Sequence, residues 1–288
     1  MRFIGSVIDK LQRHPKRIVF PEGQEPRILQ AARQFYSLRL GAPILLGDRT
    51  KIKEISAELS INLEGIRIIN PTESSDLEEF GKRFKQLRRS KGMRTMEATE
   101  AMTQPNYYGA MMVAAHQADG MVSGAVGITG SVLRPLLQIV KPTEGIKNTS
   151  SCTIIEVEDS AIGHKGVLFM GDCDVIPDPN AEQLADITIS TAKLARQLLG
   201  ITPRVAMLSF STKGSSSHPS VDKMKAATAL AQRKAEEAKL EMHIDGELQA
   251  DTALVPEIAR RKMPDSDVAG QVEPSPAREQ KEFHSVGV

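Results

Sequence analysis

Four segments of the chain combine the residue types that bind or activate small anions. The first is a basic run from Lys82 to Arg94, which holds seven Lys and Arg residues, Arg88 among them. Guanidinium groups match the geometry of phosphate oxygens, so the run predicts a docking site for a polyanionic small molecule. The alternative is the charged, solvated face of a helix, and the run taken alone favours that interpretation.

The second segment is a glycine-rich loop at 124–130, between a predicted strand at 119–123 and a predicted helix at 131–140. Backbone N–H groups of such a loop can approach an anion closely. Ser123 adds a hydroxyl, and Arg134 follows one turn into the helix. The spacing is not GxGxxG, so it does not indicate a dinucleotide site. The alternative is an ordinary tight turn between a strand and a helix.

The third segment is a hydroxyl-rich loop that follows a strand predicted at 204–210. Ser211, Thr212, Lys213 and Gly214 stand there in succession. Hydroxyls, one lysine and one glycine at the carboxyl end of a strand suit an oxyanion or a phosphate. The GxxxxGK spacing of a phosphate-binding P-loop is absent. The alternative is a flexible serine-rich linker.

The fourth segment is acidic and lies at the end of a strand predicted at 242–245. Asp245 or Glu247 could act as a base or orient a ligand. Acidic residues in this position more often cap the helix that follows. No CxxC or histidine-rich spacing occurs in the chain, so the sequence predicts no metal site.

The elements that must position these segments follow a repeating order of strand and helix. Apolar runs at 17–20, 43–46 and 66–69 are continuous rather than alternating, which is typical of a parallel sheet covered on both faces. The repeated order predicts the α/β class. After Asn180 the chain reads as a helix with a capping box, and Gly200 is expected to end it.

Composition and breaker residues predict the domain organisation. Pro, Gly, Asn and Ser accumulate between 142 and 151. We therefore expect two doubly wound α/β domains, at 1–145 and 146–270. Residues 271–288 contain two Pro and show no periodicity, so they are predicted to form a disordered tail.

Charge and cysteine content exclude several classes of protein. The 37 Lys and Arg residues balance 36 Asp and Glu residues, so the chain has no overall field that would hold nucleic acid or an anionic membrane. No apolar run reaches the ~18 residues of a membrane span. Asp9 and Lys10 interrupt any signal-peptide core. Cys152 and Cys173 are too few for a disulfide framework, which predicts a reduced, cytoplasmic protein.

Several long strings make the sequence similar to the phosphate acetyl/butyryltransferase family. They are RIVFPEGQEPRILQAA, ADGMVSGAV, LRPLLQIVK, DPNAEQLADI, RVAMLSFSTKGS and IDGELQADTALVPEIA, in the family's order from about 17 to 270. The resemblance implies two α/β domains that face one cleft, usually in a homodimer. It implies an acyltransferase of acetate metabolism that exchanges acetyl-CoA and phosphate for coenzyme A and acetyl phosphate. Coenzyme A is then a substrate, and no bound cofactor or metal is implied.

The resemblance also implies which residues bind these small molecules. Arg88 and Arg134 match arginines on the coenzyme A side. The SGAV and STKGS loops face the cleft in the family, so six residues become expected contacts of the acyl phosphate: Ser123, Gly124, Ser211, Thr212, Lys213 and Gly214. The STKGS and GELQ strings favour an acetyl over a butyryl substrate. The missing dinucleotide fingerprint disfavours an NAD-dependent dehydrogenase.

One departure from the family concerns catalysis. The family's main catalytic candidates are a Ser, an Arg and an Asp in a segment that has no counterpart in 271–288. A positioned base contributes roughly 10²–10⁴-fold to such a reaction. The catalytic residues therefore stay unassigned, and we expect little or no turnover from this sequence. The alternative function is binding of coenzyme A or acyl phosphate without catalysis. An uncovered sheet edge in the second domain is also expected.

Overall fold

The computed structural model describes residues 2–140, 148–173, 175–270 and 282–287. The chain divides into two compact units, Arg2–Lys141 and Pro142–Val288. The domain boundary predicted at 145/146 lies outside the described residues. Both units combine a largely parallel sheet with helices, which confirms the α/β class.

The first unit is built on a four-stranded parallel sheet in the order β3-β2-β1-β4. Its strands are β1 (Lys16–Phe20), β2 (Gly41–Leu46), β3 (Arg67–Ile69) and β4 (Gly120–Met121). The strands predicted at 17–20, 43–46 and 66–69 are confirmed. The strand predicted at 119–123 is shorter, because the chain leaves the sheet at Val122 and turns into the glycine-rich loop.

Helices cover both faces of this sheet. They are α1 (Arg2–Arg13), α2 (Pro26–Ser37), α3 (Arg49–Glu58), α4 (Leu77–Leu87), α5 (Thr95–Met102), α6 (Pro105–Ala114) and α7 (Thr129–Ile139). Val19 belongs to a core cluster with Phe84 of α4, whereas the next residue, Phe20, belongs to a second cluster with Leu29 of α2. Successive side chains of β1 point to opposite faces and both are buried, which explains the continuous apolar run.

The second unit contains a five-stranded sheet in the order β5-β6-β9-β7-β8. Its strands are β5 (Thr153–Glu156), β6 (Val167–Gly171), β7 (Thr202–Leu208), β8 (His243–Leu248) and β9 (Glu282–Gly287). Its helices are α8 (Ala181–Leu199), α9 (Pro219–Glu237), α10 (Ala250–Leu254) and α11 (Pro256–Lys262). β5 is antiparallel to β6, and the other pairs are parallel.

The ends of α8 confirm the expected capping. The Asn180 side chain accepts a hydrogen bond from the Gln183 backbone N–H, and the Gln183 side chain accepts one from the Asn180 N–H. Gly200 ends the helix with a φ of 71°, a left-handed conformation that glycine adopts at no steric cost.

The tail predicted to be disordered is corrected at 282–287. These residues form β9, which pairs with β6 on one side and β7 on the other. The edges of β6 and β7 that face each other would otherwise leave backbone N–H and C=O groups unpaired, and this demand outweighs the polar composition of the segment. The slot between the two strands is therefore filled, contrary to the expected uncovered edge. Residues 271–281 and 288 lie outside the described residues.

Candidate active site

A pocket of about 920 Å³ lies at the carboxyl ends of the strands in the first unit. β1 lies between β2 and β4, so the strand order reverses beside it, and open α/β sheets bind ligands where this happens. The lining comes from the turns after β1 and β2, from the start of α6, and from the loop and helix after β4. Its volume falls within the usual range for small-molecule sites, roughly 300–1,000 Å³.

The turn after β1 brings the backbone close to β2. The Gly23 N–H donates to the Leu46 carbonyl oxygen at 3.1 Å. A Cβ at position 23 would lie 2.5 Å from that same oxygen. Only glycine fits such a close backbone approach, so Pro21-Glu22-Gly23 fixes this wall of the pocket.

The glycine-rich loop wraps around the carboxylate of Glu22. Four successive backbone N–H groups donate to it: those of Gly124 and Ala125 to Oε2 at 2.9 and 2.7 Å, and those of Val126 and Gly127 to Oε1 at 2.9 and 3.0 Å. Partial burial acts to raise the pKa of Glu22, but these four hydrogen bonds outweigh it and the pKa is lowered. The expected anion-binding loop therefore already holds an anion, and it belongs to the protein.

Asn106, at the start of α6, ties the same loop to its neighbours. The Ser123 hydroxyl donates to Asn106 Oδ1 at 2.8 Å, and Asn106 Nδ2 donates to the Ser131 carbonyl oxygen at 3.2 Å. Both residues that the sequence assigns here thus have partners within the protein: Ser123 in Asn106, and the Gly124 N–H in Glu22. A ligand would have to compete with these groups.

Arg134 is better placed for a ligand. It is exposed on α7 and lines the pocket, together with the exposed apolar side chains of Val126 and Ile128. Arg88 follows α4, does not line this pocket, and is half-buried. Its Nε is buried without a hydrogen-bond partner among the described residues. A buried donor without a partner costs free energy, so an acceptor that reached Arg88 Nε would form a favourable hydrogen bond there.

Three other residues of the basic run form hydrogen bonds or ion pairs within the first unit. Lys85 donates to the Thr95 hydroxyl, Arg94 pairs with Glu97 at 2.5 Å, and Arg83 donates to a backbone carbonyl of α6. All the basic residues of the run except Arg88 are exposed, which supports the solvated-face interpretation for them and leaves half-buried Arg88 as the exception.

The hydroxyl-rich loop of the second unit follows β7 and is held by Glu247 of β8. Glu247 is 1% exposed and accepts hydrogen bonds from the Gly214 N–H at 2.7 Å and the Ser211 hydroxyl at 3.3 Å. The ammonium of Lys225 lies 4.0 Å from the same carboxylate. Ser211 and Thr212 are themselves buried. Glu247 thus orients the loop. Gln249 occupies the N-cap position of α10 without a side-chain capping hydrogen bond, so neither Asp245 nor Glu247 caps this helix, contrary to the capping alternative.

Lys213 has the exposed side chain among these four loop residues, since Ser211 and Thr212 are buried and Gly214 has no side chain. It adopts a φ of 43°, and its ammonium donates to Asp245 Oδ1 at 2.5 Å and to the Gly246 carbonyl oxygen at 3.0 Å. Left-handed backbone is uncommon for residues other than glycine and concentrates at functional positions. Asp245 also accepts from the Ser266 hydroxyl at 2.5 Å. The contacts and the backbone conformation together aim the Lys213 side chain.

The two cysteines differ in exposure. Burial raises the pKa of the Cys152 thiol to about 11, with a smaller contribution from Cys173, which is itself exposed. Both are free thiols. Within the described part of the chain, no group of three or more His, Cys, Asp or Glu is arranged to hold a metal ion. Nor does any described helix combine the length and apolarity that crossing a membrane requires.

Fold and site together define an α/β protein with a ligand pocket at the switch point of its first sheet. The family model described as "Phosphate acetyl/butaryl transferase" matches residues 2–273. A phosphate acetyltransferase from Thermoanaerobacterium thermosaccharolyticum is 44% identical over 271 residues, which are 94% of this chain and 81% of that protein. The chain belongs to this family, as the sequence strings predicted.

Solved structures agree with this assignment. The EutD phosphotransacetylase from Staphylococcus aureus superposes with a TM-score of 0.83 at 38% identity, and a phosphotransacetylase from Streptococcus pyogenes with a TM-score of 0.84 at 36% identity. Each match covers 99% of this chain and 81% of the other.

The sequence patterns missed Glu22 and Asn106. One sequence feature could have indicated Glu22: it stands in a Pro-Glu-Gly turn at the carboxyl end of the first strand. Asn106 carried none, because its partners come from the loop after β4 and from α7, and only the fold brings these together.

Proposed function

We propose that the chain transfers an acetyl group between coenzyme A and inorganic phosphate, with acetyl phosphate as the other acyl species. In this reaction the coenzyme A sulfur bonds to the acetyl carbonyl carbon. The bond between that carbon and the phosphate oxygen breaks, and inorganic phosphate leaves with the proton that the thiol gives up. The observation that carries the proposal is the switch-point pocket with Arg134 on its wall, in a chain whose residues 2–273 match the family.

Coenzyme A suits this pocket in its chemistry. Val126 and Ile128 offer apolar contact to a thiol-bearing arm, and the Arg134 guanidinium offers a fork to phosphate oxygens. The unpartnered Nε of Arg88 supports a second phosphate contact.

For the acyl phosphate, we propose Lys213 as the contacting residue. Ser211, Thr212 and Gly214 would shape the loop, since the first two are buried and the Gly214 N–H is engaged by Glu247. In the first unit, Ser123 and Gly124 would shape the pocket wall in the same way. We assign no base. We further propose a cytoplasmic homodimer, which light scattering and cell fractionation would test.

The test is formation of the thioester from acetyl phosphate and coenzyme A by the purified chain. Arg134→Ala and Arg88→Ala are expected to raise the KM for coenzyme A about tenfold each, the usual worth of one charge-assisted hydrogen bond. Arg13→Ala, which removes an exposed arginine of α1, is the matched control and is expected to leave KM unchanged. Equal effects of all three substitutions would reject the placement of coenzyme A.

A second candidate is binding of coenzyme A without turnover. It needs only the phosphate contacts that Arg134 and the unpartnered Nε of Arg88 offer, and no catalytic base is assigned. Calorimetry separates the two candidates: coenzyme A binding weakened by Arg134→Ala, with no thioester formed, selects the second. Turnover comparable to that of a relative selects the first.

A further inference from the structure

The most completely bonded side chain at the pocket is Glu22. Its two carboxylate oxygens accept four hydrogen bonds, two each, from the consecutive amides of residues 124–127. Converging backbone N–H groups form a concavity that binds anions, and in this fold the anion comes from the turn after the neighbouring strand β1.

Besides Glu22, the loop has few contacts: Ser123 bonds to Asn106, and Ala125 packs against the core cluster that contains Phe20. Val126 is 68% exposed and Ile128 is 80% exposed, so these two side chains contribute little to its conformation through burial. Gly124 has a φ of 113°, which favours glycine. Among the described residues, Arg27 is a further charged contact of the loop: it donates to the Ala125 carbonyl oxygen at 2.8 Å and pairs with Glu25.

The position of this loop gives the anchor a consequence for the pocket. Residues 124–127 lead directly into α7, which carries Arg134, and the side chains of Val126 and Ile128 form part of the wall. We propose that Glu22 is a positioning residue, an internal anion whose carboxylate holds residues 124–127 in the shape that the pocket uses for its ligand. The identification of this ligand as coenzyme A rests on the proposed function, whereas the anchoring of the loop is independent of it.

Amide hydrogen exchange, measured by NMR on the full chain, tests the anchor directly. In the wild-type chain the amides of 124–127 are expected to be protected despite the exposure of their side chains. In Glu22→Gln one oxygen becomes an NH₂ group that cannot accept, so two of the four amides lose their acceptor. Their exchange is expected to accelerate roughly 10- to 100-fold.

A matched substitution and a rescue sharpen this result. Glu54→Gln, at an exposed position of α3 in the same unit, should leave exchange at 124–127 unchanged. In Glu22→Ala all four amides should exchange rapidly, and added sodium acetate should restore their protection by supplying a carboxylate. Unprotected amides in the wild-type chain would overturn the proposal without any variant. Unchanged exchange in Glu22→Gln would overturn it as well.

Calorimetry with coenzyme A tests the consequence for the pocket. Glu22→Gln is expected to weaken binding about tenfold relative to Glu54→Gln, the worth of one charge-assisted hydrogen bond. Accelerated exchange with unchanged affinity would overturn the positioning role. Accelerated exchange in a chain whose wild type does not bind coenzyme A would reject the proposed function and leave Glu22 as the anchor of the loop.

Discussion

Glu247→Ala is expected to destabilise the second unit strongly. Glu247 is 1% exposed and is bonded to the Gly214 N–H at 2.7 Å and to the Ser211 hydroxyl at 3.3 Å. A short hydrogen bond to a charged acceptor contributes about 1.5–3 kcal/mol, and the longer one about 0.5–1.5 kcal/mol. Ser211 keeps an alternative partner in Ser215, at 3.3 Å, which limits the loss. We expect a decrease of about 2–4 kcal/mol in the free energy of unfolding.

The assay is urea and thermal unfolding followed by far-ultraviolet circular dichroism. A loss of that size corresponds to a fall in Tm of about 4–16 °C. Glu236→Ala removes an exposed glutamate from α9 and is expected to change Tm little. Glu247→Gln keeps the shape and one accepting oxygen, so it should fall between the two. A Glu247→Ala chain as stable as Glu236→Ala would refute the reasoning that the carboxylate holds the loop.

Three further outcomes are expected, and the first is read from tyrosine fluorescence because all three tyrosines lie in the first unit and the chain has no tryptophan. Gly23→Ala puts a Cβ 2.5 Å from a backbone oxygen and should lower the free energy of unfolding of this unit by about 1–3 kcal/mol. Gly5→Ala, in α1 with open space around the added Cβ, should raise it by about 0.5–1 kcal/mol. Changes of the same sign in both variants would contradict this reasoning. The raised pKa of Cys152, about 11, predicts that at pH 8 this thiol is alkylated roughly tenfold more slowly than a thiol of ordinary pKa, and a rate equal to that of exposed Cys173 by mass spectrometry would refute it. Because the pKa of Glu22 is lowered in the folded chain, its carboxylate adds stability above its unfolded pKa and loses that contribution as pH falls. The difference in free energy of unfolding between the wild type and Glu22→Gln, measured with urea, should therefore be full at about pH 7 and shrink below about pH 4. A difference that stays constant with pH would contradict this reasoning.

The elements of the fold were predictable where each carries its own local signal. β1, with Val19 and Phe20 buried on opposite faces, shows in the sequence as a continuous apolar run. The cap at Asn180 is a local reciprocal pattern and was predicted in full. β9 was not predictable, because its stability comes from two partner strands rather than from its own composition.

The site was predictable in its location and less so in its contacts. The loops at 124–127 and 211–214 lie at the carboxyl ends of parallel strands, as expected. Each was interpreted as open to a ligand, yet each is occupied by a glutamate, Glu22 from the turn after β1 in one and Glu247 from β8 in the other. A loop sequence specifies how many N–H groups it can present. Which acceptor those N–H groups meet depends on the neighbouring strand or the turn that follows it, and the loop's own short sequence does not show that pairing.

The place of β9 in its sheet has a consequence during synthesis. β6 and β7 leave the ribosome well before β9, and in the finished sheet they do not pair with each other but with the late-made strand between them. Until that strand arrives, two inward-facing backbone ladders stay open to any extended peptide of suitable length. Until β9 has been made, the nascent second unit thus exposes two unpaired strand edges to strand invasion.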